Sequence, residues 1–365
     1  MYAERVLRTP PDFEQRAALL ASRGLSAPGG EDLVLGLFDE DRLVATGSLV
    51  GRIIEGVAVK EELEGQGLTS KLLSLVLKHA SDAGIWNLFL FTKRVEVPRF
   101  MDLGFRSVAS TDSAALLEWG RPGVREFLND LTFQARNRFE KEQFEKELFE
   151  KEQVAKGTLE RGRERGFGCI VANCNPFTRG HRYLIETASS TSERLYVIVV
   201  EDPEGVRRPV FPFEVRFRLV SEGVQDLRNV LVLRGGEYVI SAATFPSYFT
   251  QEKEVASVHA TLDLEVFASR IAPALSITKR FVGTEPFSPV TNIYNETMKR
   301  LLPQHGIAVE ELDRMQIDGA PVSASRVRAL LAKGDIESAR GLVPLCTWRY
   351  LNSPEATPVL EKLRE

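Results

Sequence analysis

The sequence predicts an α/β protein of two domains: a mixed α/β domain at the N-terminus, a charged helical linker, and a doubly wound, Rossmann-like domain at the C-terminus. Three observations carry that expectation. Short β-rich runs alternate with helical periodicity at both ends of the chain, and a block dense in Glu and Lys separates them. The length, 365 residues, exceeds what one hydrophobic core ordinarily organises. Hydrophobic residues make up 43% and charged residues 27%, a globular mix that argues against global disorder or collagen.

Within the N-terminal zone, taken as residues 1–125, the runs 33–38 and 42–50 are β-like, with Asp39-Glu40-Asp41 as the turn between them. Residues 53–59 form the next strand. Residues 68–83 carry Leu72, Leu73, Leu75, Val76, Leu77 and Ala80 at the spacing of one buried helix face. A compact apolar strand follows at 86–91, then a short helix at 97–102 closed by Gly104.

The linker, 126–166, repeats Phe139-Glu-Lys-Glu-Gln as Phe144-Glu-Lys-Glu-Leu and Phe149-Glu-Lys-Glu-Gln. Glu142/Lys146 and Glu147/Lys151 place the acid four residues before the base, the better orientation for helix support. A five-residue period advances about 140° per repeat, so the phenylalanines wind around the helix and form no coiled-coil seam. A solvated helical rod is expected; a docking or dimerising helix is the alternative.

The C-terminal zone, 167–365, opens with a buried strand at 168–173 and a helix at 180–188. The run 195–200 is continuously apolar, as in a parallel sheet covered on both faces. Strands at 230–233 and 280–282 alternate with helices at 213–222, 262–271 and 295–302, the rhythm of a doubly wound sheet.

Composition also narrows function. Forty-seven Lys+Arg against 51 Asp+Glu give a net charge of −4, too near balance for bulk nucleic-acid binding. The longest apolar run, 195–200, is too short to span a membrane. Residues 1–14 mix charges and prolines where a signal peptide needs an apolar core. Cys169, Cys174 and Cys346 fit neither a disulfide framework nor zinc spacing. A cytoplasmic protein that engages neither nucleic acid nor membrane is expected.

In an open parallel sheet, ligands gather where the strands end and the next helices present free N–H groups. The first C-terminal strand runs into Asn173-Cys-Asn-Pro-Phe-Thr-Arg-Gly-His181. Thr178 and His181 lie one turn apart at a helix start and face the same way. Gly180 allows a ligand close to the backbone. A histidine there can donate Nε2–H to a phosphate and stabilise charge at phosphorus without acting as a base. Equally, Thr178 can be a simple N-cap and His181 a solvated neighbour. A second element, Ser323-Ala-Ser-Arg-Val-Arg328, leads into an apolar helical run. Ser323 and Ser325 fall in its first turn, and Arg328 shares their face with a fork suited to phosphate. Alone this too is compatible with a capped surface helix. Two anion-binding helix starts in one α/β domain fit a nucleoside triphosphate better.

Thr178-x-Gly-His181 and Ser323-x-Ser325-x-x-Arg328 resemble the paired signatures of the HxGH nucleotidyltransferase superfamily, with Thr in place of the first His. The likeness extends through residues 175–185, 235–249, 281–286 and 289–295, which are similar to the citrate lyase ligase family over about 167–344. That resemblance implies formation of acetyl-adenylate and pyrophosphate from ATP and acetate. The acetyl group then passes to the thiol of a phosphoribosyl-dephospho-CoA arm on the acyl-carrier subunit of citrate lyase, with release of AMP. It implies catalytic Thr178 and His181 at the α-phosphate, Asn175, Pro176, Phe177 and Gly180 along the ATP loop, and Ser323, Ser325 and Arg328 on the β- and γ-phosphates. Mg²⁺ would ride on the triphosphate with no protein metal site. Tyr238, Ser241 and Glu285 sit in the aromatic, hydroxyl-rich blocks, which either line the acetate or thiol path or form core turns. Arg207, Arg208 and Arg216 are candidate phosphate or carrier-arm contacts, or solvated arginines.

The N-terminal zone resembles the GNAT acyltransferase fold, in which Gly65-Gln-Gly67 matches the pyrophosphate-gripping loop. Glu62 stands where that motif opens with Arg or Gln. A carboxylate there repels an incoming pyrophosphate, which favours recognition of the CoA-like arm, or a structural role, over independent acetyl-CoA chemistry. Cys169 and Cys174 flank the phosphate loop without a histidine to activate them and are expected to be core filler. His79, His259 and His305 are expected to be structural. Three alternatives stay open: an adenylyltransferase acting on a pantetheine or nucleotide substrate, a GNAT-type acetyl-CoA acyltransferase, and a non-enzymatic assembly factor built on the charged rod.

Overall fold

The computed structural model describes residues 2–27, 29–154, 166–201, 209–239, 252–285 and 289–364, with no side chains described at 140–154, 252–256, 289 and 290. These residues divide into two compact units: the chain up to Phe127 together with the helix Glu252–Val266, and the remainder.

The first unit is a seven-stranded sheet with helices. In chain order it contains β1 (Ala3–Val6), α1 (Pro10–Ser22), β2 (Leu33–Asp39), β3 (Arg42–Val50), β4 (Ile53–Val59), α2 (Leu68–Asp82), β5 (Asn87–Lys93), α3 (Val97–Met101), β6 (Arg106–Ser110) and β7 (Ala114–Gly120). The sheet order is β1-β2-β3-β4-β5-β7-β6. Neighbours run antiparallel except β4 and β5, which are parallel and pair only at Ile53–Phe89 and Ile54–Leu90. A cavity of about 350 Å³ lies between residues of these two strands, lined by Val57, Val59, Leu90 and Phe91 together with Gly65 and Gly67. The face of α2 carrying Leu72, Leu73, Val76 and Ala80 is buried, the stripe its periodicity predicts.

Helix α1 lies in the stretch read from sequence only as charged and proline-rich. Its start is fixed by Thr9, whose N–H and hydroxyl both donate to Asp12 at 3.3 and 2.8 Å, with Pro10 in the first turn. The 252–266 helix also departs from expectation: sequence places it with the C-terminal zone, yet it packs against β6 and β7.

The second unit begins within α4 (Val124–Val154) and continues through β8 (Phe167–Ala172), α5 (Arg179–Thr191), β9 (Leu195–Val199), α6 (Phe213–Gly223) and β10 (Val230–Arg234). After α7, the helix Glu252–Val266, come α8 (Ala272–Ala274), β11 (Ile277–Gly283), α9 (Pro289–Leu301) and β12 (Ala308–Leu312). A hairpin of β13 (Gln316–Ile317) and β14 (Ala320–Pro321) leads into α10 (Ala324–Ala332), and α11 (Ile336–Ala339), α12 (Leu345–Leu351) and α13 (Thr357–Arg364) close the chain. The five-stranded sheet is parallel throughout, in the order β10-β9-β8-β11-β12. Chain progression therefore reverses between β8 and β11, which opens a crevice beyond their carboxyl ends. All five residues of β9 are buried, and Ile170, Ile185, Val197, Leu219, Val327 and Leu331 join one core.

Up to Phe139, α4 is not a solvated rod. Leu131, Ala135 and Phe139 are buried at four-residue spacing. The Phe139 ring meets Tyr196 edge-on, with centroids 6.0 Å apart, and Arg194 stacks over it at 4.9 Å. The side chains of Phe144 and Phe149 lie outside the described residues. Among the described residues no helix is long and apolar enough to cross a membrane. Phe139→Ala should destabilise the second unit by about 3–5 kcal/mol. Phe133→Ala, at a position 63% exposed on the same helix, should shift stability by no more than about 0.5 kcal/mol. Urea unfolding of the full-length protein compares the two.

Candidate active site

The loop after β8 is built around the start of α5. Thr178 holds extended backbone angles and caps the helix: its Oγ1 accepts the His181 N–H at 3.3 Å. His181 answers with its ring, Nδ1 accepting the Thr178 N–H at 3.1 Å and lying 2.9 Å from Thr178 Oγ1. With Nδ1 an acceptor, the ring proton belongs on Nε2. The imidazole lies nearly parallel to Phe177, 15° between planes and 6.1 Å between centroids. Thr347 holds the Phe177 carbonyl at 2.9 Å from below. Burial, aided by the Arg314 guanidinium, pushes the His181 pKa down to about 4, so the ring is neutral at physiological pH.

The second wall comes from the β13–β14 hairpin. Asp318 and Gly319 both take positive φ, 55° and 72°, as a two-residue turn matched to strand twist requires. The chain then reaches Val322, whose carbonyl oxygen packs on Gly180; a Cβ at Gly180 would stand 2.7 Å from it. Glycine is needed there for the approach of this second segment. Ser323 caps α10, its Oγ accepting the Arg326 N–H at 3.1 Å, and Ser325 is exposed in the first turn. Arg328 donates to the Asn175 carbonyl and, at 3.3 Å, to Ser325 Oγ. Segments some 150 residues apart in sequence thus meet over one crevice, with Arg328 joining them.

Several expected contacts fall elsewhere. Pro176 and Phe177 are buried, Phe177 completely, so they form the floor under His181 and present no surface to a nucleotide. Thr178 is 1% exposed, and its hydroxyl serves the imidazole. Asn175 accepts the Phe211 N–H at 3.0 Å through Oδ1, which braces the loop. Arg216 is not a carrier-arm contact. Its side chain is wholly buried and donates to the carbonyls of Asn173, Val200 and Phe211 at 2.7, 2.9 and 3.1 Å. It thereby fastens together the carboxyl ends of β8 and β9. Tyr238 is buried just beyond the edge strand β10, away from the β8–β11 crevice. Ser241, Arg207 and Arg208 lie outside the described residues. Gly65 and Gly67 line the cavity of the first unit, both at φ +79° with open space where a side chain would stand. Burial pushes the Cys169 and Cys174 thiols up to about 11 and 12, which leaves them inert.

Sequence reasoning missed Arg314. It follows β12 directly, donates to the Thr284 carbonyl and pairs with Glu285. The sequence reading placed no strand at 308–312, so Arg314 showed only as an isolated basic residue. Among the described residues, no three His, Cys, Asp or Glu side chains gather as a metal site.

Residues 167–351 match the model of the citrate lyase ligase C-terminal domain. The [citrate [pro-3S]-lyase] ligase of Klebsiella pneumoniae is 35% identical over 95% of this chain and 94% of its own length. The chain belongs to the citrate lyase ligase family. The Escherichia coli K12 [citrate [pro-3S]-lyase] ligase is 34% identical over 92% of this chain and 89% of its own length. Among solved structures, Escherichia coli ElaA is similar over 33% of this chain and 99% of its own, at 15% identity and a TM-score of 0.29.

In this citrate lyase ligase family member, the His181 pKa gives a sign-definite expectation. Its folded value lies below the ~6.5 of a free imidazole, so the unfolded chain binds the proton more tightly. Its stabilising contribution is whole above about pH 6.5 and is lost as pH falls toward 4. NMR titration should find the His181 ring, identified by its loss in His181→Ala, still neutral and protonated on Nε2 at pH 5.5. A His181 midpoint near 6.5 would contradict the half-buried, Nδ1-accepting geometry.

Proposed function

We propose that this chain activates acetate with ATP, forming acetyl-adenylate and pyrophosphate, and then delivers the acetyl group to the thiol of a CoA-like arm on the citrate lyase acyl carrier, releasing AMP. The observation that carries this is the meeting of the Nε2-protonated His181 and the Ser323–Arg328 helix start over one crevice. Acetate is ionised at neutral pH, so the first step needs charge stabilisation more than a base. A carboxylate oxygen attacks the α-phosphorus; the bond to the bridging oxygen breaks, and its electron pair leaves on pyrophosphate. His181 Nε2–H donates to an α-phosphate oxygen as charge builds, while Thr178 and Phe177 hold the ring in place. Ser323, Ser325, Arg328 and the first-turn amides of α10 receive the β- and γ-phosphates. Mg²⁺, held by the triphosphate and water, would neutralise charge on the departing pyrophosphate.

In the second step the arm's thiolate attacks the acetyl carbonyl and AMP departs. Buried Cys169 and Cys174 support a thiol supplied by the carrier. Residues 1–125 are proposed as a GNAT-like unit that takes the arm in the cavity beside Gly65 and Gly67. Residues 126–166 are proposed as the linker and 167–365 as the nucleotidyltransferase. Dependence on ATP suits the cytoplasm.

Acetate should stimulate exchange of labelled pyrophosphate into ATP. Exchange that requires phosphopantetheine or a mononucleotide would assign the chain to adenylyl transfer instead. His181→Ala should slow exchange by about 10²–10³-fold, as for removal of one preorganised donor. Unchanged turnover of the folded variant contradicts the assignment. Gly67→Ala, at a positive φ, should raise KM for the carrier and leave acetate-dependent exchange intact.

A further inference from the structure

We propose that Arg314 binds the carboxylate of the acid substrate, with Glu285 as the positioning residue that aims its guanidinium into the β8–β11 crevice. This rests on the adenylate-forming function proposed above.

The backbone brings Arg314 beside the carboxyl end of β11. Strands β11 and β12 pair in parallel up to Gly283–Leu312, and the Thr284 N–H donates onward to the Leu312 carbonyl at 3.0 Å. Two residues later the chain turns back: Arg314 Nε donates to the Thr284 carbonyl and Nη2 to the Glu285 carboxylate. The next residue, Met315, accepts the Val322 N–H at 2.9 Å, and Val322 is the residue packed on Gly180. Arg314 is therefore tied to both walls of the crevice, close enough for its charge to bear on the His181 ring.

Its surroundings suit a second anion. Arg314 is 25% exposed and its Glu285 partner 11%, so the pair is largely withdrawn from water and its Coulomb interactions are screened less than at the surface. Two of its nitrogens are engaged, and Nη1 meets no acceptor among the described residues. Arg328 is already bound to Asn175 and Ser325 on the triphosphate side. His181 is neutral and can orient a phosphate, but it cannot offset the repulsion between two anions brought to bonding distance. A fixed guanidinium can. It accepts the carboxylate oxygen that does not attack, leaving the other free to form the bond to α-phosphorus while the bridging P–O bond breaks. Arg314 transfers no proton.

The test is acetate-dependent pyrophosphate exchange in the full-length protein carrying Arg314→Ala, Arg314→Lys or Glu285→Gln, with ATP affinity measured separately by equilibrium binding without acetate. Arg314→Ala should raise the acetate KM by about 10- to 100-fold, the loss of a charge-assisted hydrogen bond, with ATP affinity within about twofold. Added guanidinium should restore part of the loss. Arg314→Lys keeps the charge and stem but loses the fork, so it should raise the acetate KM less. Glu285→Gln should do the same without loss of folding by circular dichroism. An unchanged acetate KM in Arg314→Lys and Arg314→Ala overturns the proposal. So does a parallel loss of ATP affinity, which would assign Arg314 to the triphosphate. Absence of exchange with acetate in the unsubstituted protein overturns the adenylation function itself, a result distinct from either.

Discussion

The site depends on one reciprocal pair of hydrogen bonds, between Thr178 and His181 at the start of α5. In the common form of this capping arrangement the third helical residue is Glu or Gln, which reaches back to the cap N–H. An imidazole makes the same bond through Nδ1 and differs in what it offers on its far side. A carboxylate there would present negative charge to an incoming phosphate. Neutral imidazole presents an N–H. The bond that terminates the helix is thus also the bond that fixes the tautomer, and helix formation and chemistry share a cause. Phe177, buried beneath the ring, removes its remaining freedom to rotate.

Around that pair, the molecule uses arginines as fasteners in proportion to their burial. Arg216, wholly enclosed, gathers three backbone carbonyls at the ends of β8 and β9 and shapes the mouth of the sheet. Arg328, half-buried, bridges the two segments that converge over Gly180. Guanidinium suits both tasks because its planar fork satisfies several acceptors without losing charge. The more carbonyls such a group serves, the less of it remains for a ligand, which is why Arg216 belongs to the scaffold.

How much of this was legible in the sequence follows from how local each cause is. The β8–α5 loop was readable because an N-cap, a glycine and a histidine announce themselves within four residues. Ser323 was readable for the same reason. Helix α1 was equally local, with Thr9, Pro10 and Asp12 in plain view, and charge and proline content obscured it. Phe139 was misjudged because the charged repeat around it dominated the pattern, whereas its burial is set by Tyr196, a partner 57 residues away. Gly180 has a neighbour that local sequence does not name: sequence says that a glycine permits close approach, and the fold adds the Val322 carbonyl. Arg216 and Arg314 were beyond reach on local rules, since Asn173, Val200 and Thr284, the partners that fix them, lie just past the ends of strands distant in sequence.

The charge logic of the crevice also explains why its two polar anchors are of different kinds. A protonated His181 would attract phosphate more strongly in the ground state as well as in the transition state, and the ground-state part of that attraction would only tighten ATP binding. Only interactions that strengthen as charge develops lower the barrier. A neutral ring, fixed before substrate arrives, costs no reorganisation when negative charge grows on the α-phosphate oxygens. Its low proton affinity follows from the burial that holds it in place and from the nearby guanidinium. In the proposed reaction, a neutral imidazole beside the permanent positive charge of Arg314 and Arg328 separates the duty of answering developing charge from that of collecting anions. Under that proposal the cations gather the anions, and the fixed N–H answers the charge that grows on the α-phosphate.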